Sequence, residues 1–354
     1  MVAERIVVRG IGMVGSFGAT PADLFDRIAS GSPRLTPTVV RQVGGEMELS
    51  AHVADLSRLL EFIPKRGARR IDRLSGLSLL AAHLAQQDAG MALAGERTGL
   101  VLATGYGASR STAEFLDSII DGTDLGASPT AFAGSVHCSA ASQVSIGLGI
   151  RGPALTVTQF EVSCGEALRV AVQWLASRRV DTVLVGAADE YSATVGYCWQ
   201  RLTGEAAQAA SPGAAPGEGA AFLVLQRGAE AESAAPCLGA IATGAAWASA
   251  KGWQPDTVIL GNDGLVCQQA CYQRALPAGL VGTCLTPFYG VFPASQMLDV
   301  AAVLAAWRTG GAGLLESAAC RPPPSARRTD ARPTAACLKF DLDGRYSLVQ
   351  LDFC

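Results

Sequence analysis

The sequence predicts an α/β protein, and three features of the chain point to that class. Short apolar segments typical of buried strands alternate along it with longer segments of helical periodicity, which favours a layered fold with mainly three layers. Of 354 residues, 49% are hydrophobic and only 6% aromatic, so the core must consist mainly of Ala, Val, Leu and Ile. The 40 glycines suit an interior in which helices and strands approach closely.

Each predicted element has its own local signal. The strand "RIVVRGIGMVG" enters a glycine-rich turn that lacks the third glycine of a dinucleotide fingerprint. The first helix has Thr20 as its N-cap, Pro21 at its first position and Gly31 after its last turn. The next elements are the helix "SGLSLLAAHLAQQDAGM", the strand "TGLVLATGYG", the helix "STAEFLDSIID", the strand "ALTVTQF", the helix "SCGEALRVAVQWLASRR", the strands "DTVLVGAAD", "AAFLVLQ" and "DTVILGN", and the helix "PASQMLDVAAVLAAWRTG".

The C-terminal segment predicts a β-hairpin. "ARPTAACLKFDLDGRYSLVQLDF" contains two strand-like runs around an Asp-Gly turn. Two other segments, residues 203–219 and 309–333, are rich in Ala, Gly and Pro and are predicted to be loops.

Composition and charge exclude several classes of function. A net charge of −3 gives no reason to expect nucleic acid or an anionic membrane as a partner. We find no segment of bilayer-spanning length and no signal peptide, and we expect a soluble, cytoplasmic protein without a cofactor. The ten cysteines are scattered, and the pair Cys267 and Cys271 has neither a second pair nor a nearby histidine to complete a metal site. Reduced thiols are the simplest interpretation.

Six segments in order resemble one known family. They are "RIVVRGIGMVGSFGATPADLFDRIASGSP", "IDRLSGLSLLAAHLAQQDAG", "GLVLATGYGASRSTAEF", "GIRGPALTV", "VDTVLVGAADE" and "PGEGAAFLVL". Together they resemble the β-ketoacyl synthases of the thiolase fold, from end to end of the chain. The resemblance implies α-β-α-β-α layers and two pseudo-symmetric halves, residues 1–230 and 231–354.

The resemblance also locates the family's catalytic positions. Counting from Gly152-Pro153, the nucleophilic cysteine is replaced by Glu161. A carboxylate cannot replace it, because an acyl-carboxylate is an anhydride and not a stable carrier of a growing chain. The two histidine positions hold Asp263, in "GNDGLV", and Val291, in "PFYGV", and the lysine position holds Pro287. The Phe-Gly-Phe-Gly-Gly loop is replaced by "FDLDGRYS", and the three histidines, at positions 52, 83 and 137, all precede Glu161.

The remaining candidate groups have structural alternatives. Cys164 could be a displaced nucleophile, but Glu161 would oppose its thiolate, and a packed helix cysteine is favoured. His137 could be a base, but a neutral, hydrogen-bonded structural histidine is favoured. Glu161 itself is either a tolerated replacement or a carboxylate paired with a basic or hydrogen-bonding group at the subunit interface.

A synthase fold without its nucleophile resembles the chain length factors of type II polyketide synthases. That resemblance implies a heterodimer with an active ketosynthase α-subunit, an acyl carrier protein engaged through that partner, and a growing polyketide chain that enters a tunnel in this subunit. The implied interface residues are His137, Leu155, Val157, Gln159, Phe160 and Glu161. The implied tunnel gate is Ala108, Ser111 and Phe115, whose spacing places them on one helical face.

Several alternatives stay open at this point. Small residues at Ala108 and Ser111 either suit a straight polyene chain or only permit close helix packing. Two other functions remain possible: an enzyme that acts without a partner and uses Glu161 as its general base, and a homodimer that binds acyl groups or carrier proteins without chemistry.

Overall fold

The computed structural model describes residues 5–42, 45–122, 124–205, 215–228, 236–244, 255–276, 282–310, 315 and 334–353. The strands in these ranges are β1 (Ile6–Gly15), β2 (Thr36–Gln42), β3 (Gly45–Ala51), β4 (Thr98–Ala103), β5 (Ala154–Val157), β6 (Thr182–Asp189), β7 (Gly219–Arg227), β8 (Pro236–Gly244), β9 (Thr257–Leu260), β10 (Thr334–Phe340) and β11 (Tyr346–Phe353). The helices are α1 (Pro21–Ser30), α2 (Lys65–Ala68), α3 (Arg73–Ala89), α4 (Ser109–Gly122), α5 (Pro129–Ser135), α6 (Ser139–Leu148), α7 (Ser163–Ala176), α8 (Ala193–Glu205), α9 (Val266–Ala275), α10 (Thr286–Tyr289) and α11 (Gln296–Thr309).

One mixed sheet runs through the molecule. Its strand order within the described ranges is β5-β4-β6-β7-β1-β8-β11-β10-β9, and β2 and β3 form a separate hairpin. The order is nearly symmetric about the junction of β1 and β8: outward from it come β7, β6 and β4 on one side and β11, β10 and β9 on the other. This symmetry supports two related halves, and the proposed boundary at residues 230 and 231 falls between β7 and β8.

The two halves of the sheet form two β layers, and the helices form the other three layers. Helices α7 and α11 contact strands of both halves and form the middle layer, while α3 packs on β1, β6 and β7 from outside and α9 packs on β10. Helix α11 is buried on all sides from Gln296 to Ala306, as a central helix must be. The α-β-α-β-α arrangement is therefore confirmed, and it corrects the three-layer build that the alternation of elements alone suggested.

Local signals placed several elements correctly. The Thr20 hydroxyl accepts a hydrogen bond from the Asp23 backbone N–H, the Asp23 carboxylate accepts one from the Thr20 N–H, and Gly31 follows the helix with φ of 62°. The C-terminal hairpin is also confirmed: β10 and β11 pair antiparallel, and Gly344 in the turn has φ of 81°.

Other predicted boundaries were wrong or lie outside the described residues. The strand predicted over "ALTVTQF" ends at Val157, and the residues after it turn into α7. Residues 203–205 belong to α8 rather than to a loop, and most of the two predicted loops, residues 206–214 and 316–333, lies outside the described residues. Among the helices that the structure describes, none is long and apolar enough to cross a membrane.

Candidate functional site

A sharp turn joins β5 to α7 and places Glu161 at the start of the helix. Phe160, just before it, has φ of 49°, a left-handed conformation that costs a non-glycine residue free energy and is concentrated at functional sites. The Ser163 hydroxyl fixes this elbow: it accepts a hydrogen bond from the Gln159 N–H at 2.7 Å and donates one to the Thr104 carbonyl at 3.1 Å. The strand-to-helix elbow that the sequence indicated is therefore present.

Buried Asp189, at the end of β6, holds the surrounding segments together. Its Oδ1 accepts hydrogen bonds from the Thr104 hydroxyl and the N–H groups of Gly105 and Tyr106, at 2.7 to 2.9 Å. Its Oδ2 accepts one from the Ala294 N–H at 2.9 Å. The turn after β4 and the turn after Phe292 are thus fixed to one carboxylate beside the elbow.

A cavity of about 440 Å³ opens in front of the elbow. Glu161, Asp263 and Val291, the three positions assigned from sequence to the nucleophile and the two histidines, all line it. The volume is that of a small-molecule pocket. Most of the other lining residues are apolar: Phe160, Val195, Trp199, Leu202, Leu265, Phe292, Pro293 and Leu342.

The Glu161 carboxyl has a pKa near neutral pH. Burial raises its pKa from 4.5 to about 7, the Lys339 ammonium opposes that rise, and the charges of Asp263 and Asp341 add to it. Sequence reasoning expected a paired Glu161 to find its basic group at the subunit interface. Within this chain the nearby basic group is Lys339, and pairing across an interface stays a prediction.

Lys339 is a buried charged residue next to the site that sequence reasoning missed. Its side chain is fully buried, and its ammonium donates to the Asp263 carboxylate at 3.0 Å, the Ser295 hydroxyl at 2.9 Å and the Phe292 carbonyl at 3.2 Å. The carboxylate of Asp263 also accepts from the Gln268 amide at 3.0 Å. These acceptors use the three donors of the ammonium, so it is held in place rather than free to bind a ligand.

The other predicted catalytic positions are distributed around this site. Val291 is buried against the cavity, whereas Pro287 lies on α10 and is not one of its lining residues. The segment that replaces the family's glycine-rich loop contributes Asp341, Asp343 and Arg345 to the lining, with Arg345 paired to Asp341 at 2.5 Å.

Cys164 and His137 do not reach the cavity. Cys164 is fully buried in the middle layer, its Sγ 4.0 Å from the Met297 Sδ, and burial raises the pKa of its thiol, which fits a packed helix cysteine. His137 differs from the expected hydrogen-bonded structural histidine, because it is exposed and its ring lies against Gly107. Of the cysteines 267 and 271, the first has a side chain outside the described residues, and no cluster of His, Cys, Asp or Glu able to hold a metal ion occurs in the described part of the chain.

Strand β5 is an edge of the sheet with apolar groups beside it. It pairs with β4 on one side, and its Leu155 is 40% exposed. Ile146 on α6 and Phe160 in the turn before α7, close to β5, are exposed apolar side chains, and others lie on α4, α5 and the segments around them: Leu116, Ile120, Leu125, Phe132 and Val136. An unpaired edge next to so much exposed apolar surface is typical of a surface that binds another subunit.

The proposed gate residues share one face of α4 and the turn before it. Ala108 and Ser111 are buried, and the Phe115 ring packs on the Phe132 ring of α5 at 5.2 Å between centroids. A Cβ added at Gly134 would lie 3.1 Å from the Ser111 hydroxyl, so α4 and α5 approach closely at this point.

A basic surface was also missed. The segment "PKRGARRIDR" exposes Lys65, Arg66, Arg69 and Arg70, on and just after α2. We refer to these four residues as the basic patch. The overall charge of −3 conceals it, but the spacing of the basic residues was visible in the sequence.

The fold and this site define the class of protein. Residues 3–231 match the family model described as the β-ketoacyl synthase N-terminal domain. That match covers more than half of the chain, which therefore belongs to the β-ketoacyl synthase family.

Individual relatives are distant. Nodulation protein E of Rhizobium meliloti (strain 1021) is 26% identical over 243 residues, which is 63% of this chain and 58% of that protein. Nodulation protein E of Rhizobium sp. (strain N33) is 28% identical over 236 residues, with the same coverage of both. This chain thus spans about 58% of the length of these curated relatives.

Solved structures match over nearly the whole chain. The ishigamide ketosynthase/chain length factor superimposes with a TM-score of 0.75 at 20% identity and covers 99% of both chains. A type II polyketide synthase acyl-carrier protein in complex with its ketosynthase gives 0.71 at 16% identity and full coverage of both chains. At these identities the likeness shows the shared fold.

Proposed function

We propose that this chain is a cytoplasmic, non-catalytic chain length factor that pairs with a cysteine-bearing ketosynthase. The observation that carries the proposal is the composition of the elbow cavity. Glu161, Asp263 and Val291, the positions that the resemblance assigns to the thiol and the two imidazoles of an active synthase, line it, and none of the three histidines of the chain is among its lining residues.

The chemistry of the cavity supports this proposal. A carboxylate at the elbow cannot carry an acyl chain as a thioester. Stabilising a thioester oxyanion needs preorganised donors aimed at that oxygen. The Lys339 ammonium is engaged by Asp263, Ser295 and Phe292, so it is not such a donor.

The edge strand supports pairing. We propose that β5 adds to the equivalent strand of the ketosynthase, with Leu155, Val157, Gln159, Phe160 and Glu161 near the interface and His137 beside it. Phe160 is 54% exposed although it adjoins the elbow, so it is available to the partner. The chain length factor named in one of the structural relatives is consistent with such a complex.

The test is co-expression with a ketosynthase encoded by an adjacent gene. We expect a 1:1 complex, and we expect Leu155→Lys to prevent it because a charge on the edge strand would be buried on pairing. Val39→Lys is the matched control, since Val39 is an exposed strand residue, 52% accessible, on the separate β2–β3 hairpin. A complex that tolerates Leu155→Lys would contradict pairing through β5, and a stable homodimer would favour the carrier-protein-binding alternative.

The same proposal gives α4 a role in product length and the basic patch a role in docking. We propose that Ala108, Ser111 and Phe115 limit the growing chain, with the small residues favouring a straight polyene, although the close approach of Ser111 to Gly134 also fits the packing alternative. We propose that the basic patch attracts an acidic acyl carrier protein delivered to the partner.

A second candidate is favoured by one observation. The pKa of Glu161, raised to about 7 inside an apolar cavity, is that of a general base working at neutral pH. An enzyme of this kind would act on thioester substrates without a partner, and Glu161→Gln would abolish that activity. Activity of the purified chain alone that is lost in Glu161→Gln would favour this candidate over the chain length factor.

A further inference from the structure

The charges around the elbow cavity compensate one another except at two carboxylates. Asp263 is paired with Lys339, and Asp341 is paired with Arg345. In the described residues the Glu161 carboxylate has no hydrogen-bond or ion-pair partner beyond its own backbone N–H. Asp343 adds a second carboxylate at the exposed side of the cavity. The charge left over in the cavity is therefore negative.

The walls beside Glu161 suit an apolar stem. Helix α8 presents Val195, Trp199 and Leu202 to the cavity, and Phe292 and Leu342 lie among the other lining residues. A ligand that fills this space gains by burying alkyl groups and loses if it brings a negative charge near Glu161 and Asp343. A positive charge would instead compensate a carboxylate that is costly to leave unpaired.

We propose that the elbow cavity binds a primary alkylammonium, with its positive group against the Glu161 carboxylate and its stem along the apolar face of α8. This site uses neither β5 nor the gate residues, but Phe160 and Glu161 of the elbow line it and also lie near the proposed interface. Ligand binding is therefore measured on the chain without a partner.

Calorimetric titration of the full-length chain with hexylammonium, hexanol and hexanoate tests the proposal. We expect hexylammonium to bind tightest and hexanoate not to bind. Glu161→Gln should weaken hexylammonium about tenfold or more, the usual range for a hydrogen bond to a charged group, and leave hexanol unchanged. Glu48→Gln, at an exposed carboxylate on β3, is the matched control and should change nothing. Thermal unfolding of each variant checks that it is folded.

The pH dependence supplies a second readout. The alkylammonium stays charged up to about pH 10, whereas Glu161 loses its proton as pH rises through about 7. Affinity should therefore increase from pH 6 to pH 8. The other titratable groups near Glu161 are Lys339, Asp263 and Asp341, which are in ion pairs, and Tyr106, whose pKa burial raises well above its ordinary value, so that it stays neutral over this range. Asp343 and Arg345 also line the cavity.

Three results would overturn the proposal. Equal affinity for hexanol and hexylammonium would show that the cavity binds only the apolar stem and does not recognise a positive charge. Preference for hexanoate would show that the net charge of the cavity is positive rather than negative. Unchanged hexylammonium binding in Glu161→Gln would place the site elsewhere. None of these results bears on whether the chain pairs with a ketosynthase.

Discussion

At the scale of single residues, Lys339 is a buried positive charge next to the elbow cavity and influences its electrostatics. A fully buried ammonium is expensive unless its hydrogen bonds are satisfied, and here Asp263, Ser295 and the Phe292 carbonyl satisfy them. The pKa of Lys339 stays above its ordinary value although burial opposes it, because Asp263 and Glu161 favour the charged form. The same charge opposes the rise that burial gives to the pKa of Glu161. One lysine thus couples the strand β10 to the elbow.

Removing that lysine should leave Asp263 as an unpaired buried charge. We expect Lys339→Met to lower the free energy of unfolding by about 3–5 kcal/mol. The double variant Lys339→Met/Asp263→Asn should be less destabilised than the sum of the two single variants, because it leaves no lone charge. Urea unfolding of the four proteins measures both effects. Additive losses would show that the two residues do not act as a pair.

Glu161 should make stability depend on pH in a defined direction. Its folded-state pKa, about 7, lies above the ordinary value of 4.5, so the folded chain binds more protons than the unfolded chain between these values. The stability that Glu161 contributes is full below pH 4.5 and is lost as pH rises through about 7.

Glu161→Gln should therefore stabilise the chain more at pH 8 than at pH 4.5. The difference should be on the order of 3 kcal/mol at most. Denaturant titrations of both proteins at the two pH values measure it. An equal effect at both values would mean that Glu161 titrates normally. Glu48→Gln, exposed on β3, is the control for a change of net charge.

The sequence assigned Glu161, Asp263 and Val291 to one site, and all three line the elbow cavity, but it did not give their chemical surroundings. Counting along a strand and a motif was sufficient to name them, because the family order is preserved. Lys339 lies in the apolar run "AACLKF", 76 residues after Asp263, and nothing local in that run marks its partner. Long-range pairing of this kind follows only from the arrangement of β10 and the segment after β9.

At the scale of elements, the packing between α4 and α5 determines whether the proposed gate residues can limit the length of a growing polyketide chain. The aromatic rings of Phe115 and Phe132 contact each other at a tilt, so this pair fills space between the two helices. Ser111 faces Gly134 with little room to spare. A large residue at position 111 would have to move α5, whereas a smaller residue at position 115 leaves the backbone in place.

The gate proposal predicts product lengths in the complex with the ketosynthase. Phe115→Ala should lengthen the products because it opens space, and Ser111→Phe should shorten them because its ring fills space. Mass spectrometry of the products measures both, and recovery of a 1:1 complex shows that each variant still assembles. Leu116→Ala, at an exposed position beside Phe115, is the control. Unchanged lengths in intact complexes would contradict the gate assignment.

The boundaries of the elements show which parts of the fold local sequence signals can predict and which they cannot. The caps of α1 and the Asp-Gly turn of the hairpin are local, so the sequence predicted them correctly. The end of β5 depends partly on a distant residue: its last paired residue is Val157, and the turn after it is held by Ser163 at the start of α7, whose hydroxyl in turn bonds the carbonyl of Thr104 in the turn after β4. The apolar periodicity of "ALTVTQF" therefore overestimated the strand.

At the scale of the whole molecule, the fold has kept its internal symmetry around a site with altered chemistry. The strand orders on the two sides of the β1–β8 junction still correspond, and α7 and α11 still lie between them. The elbow between these layers has Phe160 in a left-handed conformation and presents the carboxylate of Glu161. A ketosynthase fold with a carboxylate at its elbow is consistent with the shaping role that we propose for this subunit.

The distribution of charge over the molecule leads to the last prediction. The chain carries a net charge of −3, yet the basic patch places four positive side chains on one exposed segment. Such a patch accelerates encounter with an acidic partner and loses its effect as salt screens it. We expect Lys65→Glu/Arg66→Glu to weaken binding of the acyl carrier protein to the complex about tenfold at low salt, with little difference at high salt.

The matched control for that prediction is Arg5→Glu/Arg34→Glu, which makes the same charge change at two exposed arginines outside the patch. If affinity depended only on total charge, both double variants would weaken binding equally, because their net charges are identical. If the patch is a docking surface, only Lys65→Glu/Arg66→Glu will lower the association rate, since steering depends on where the charge lies. Surface plasmon resonance over a range of ionic strengths separates these outcomes, and equal association rates for the two variants would remove the patch from the proposed function.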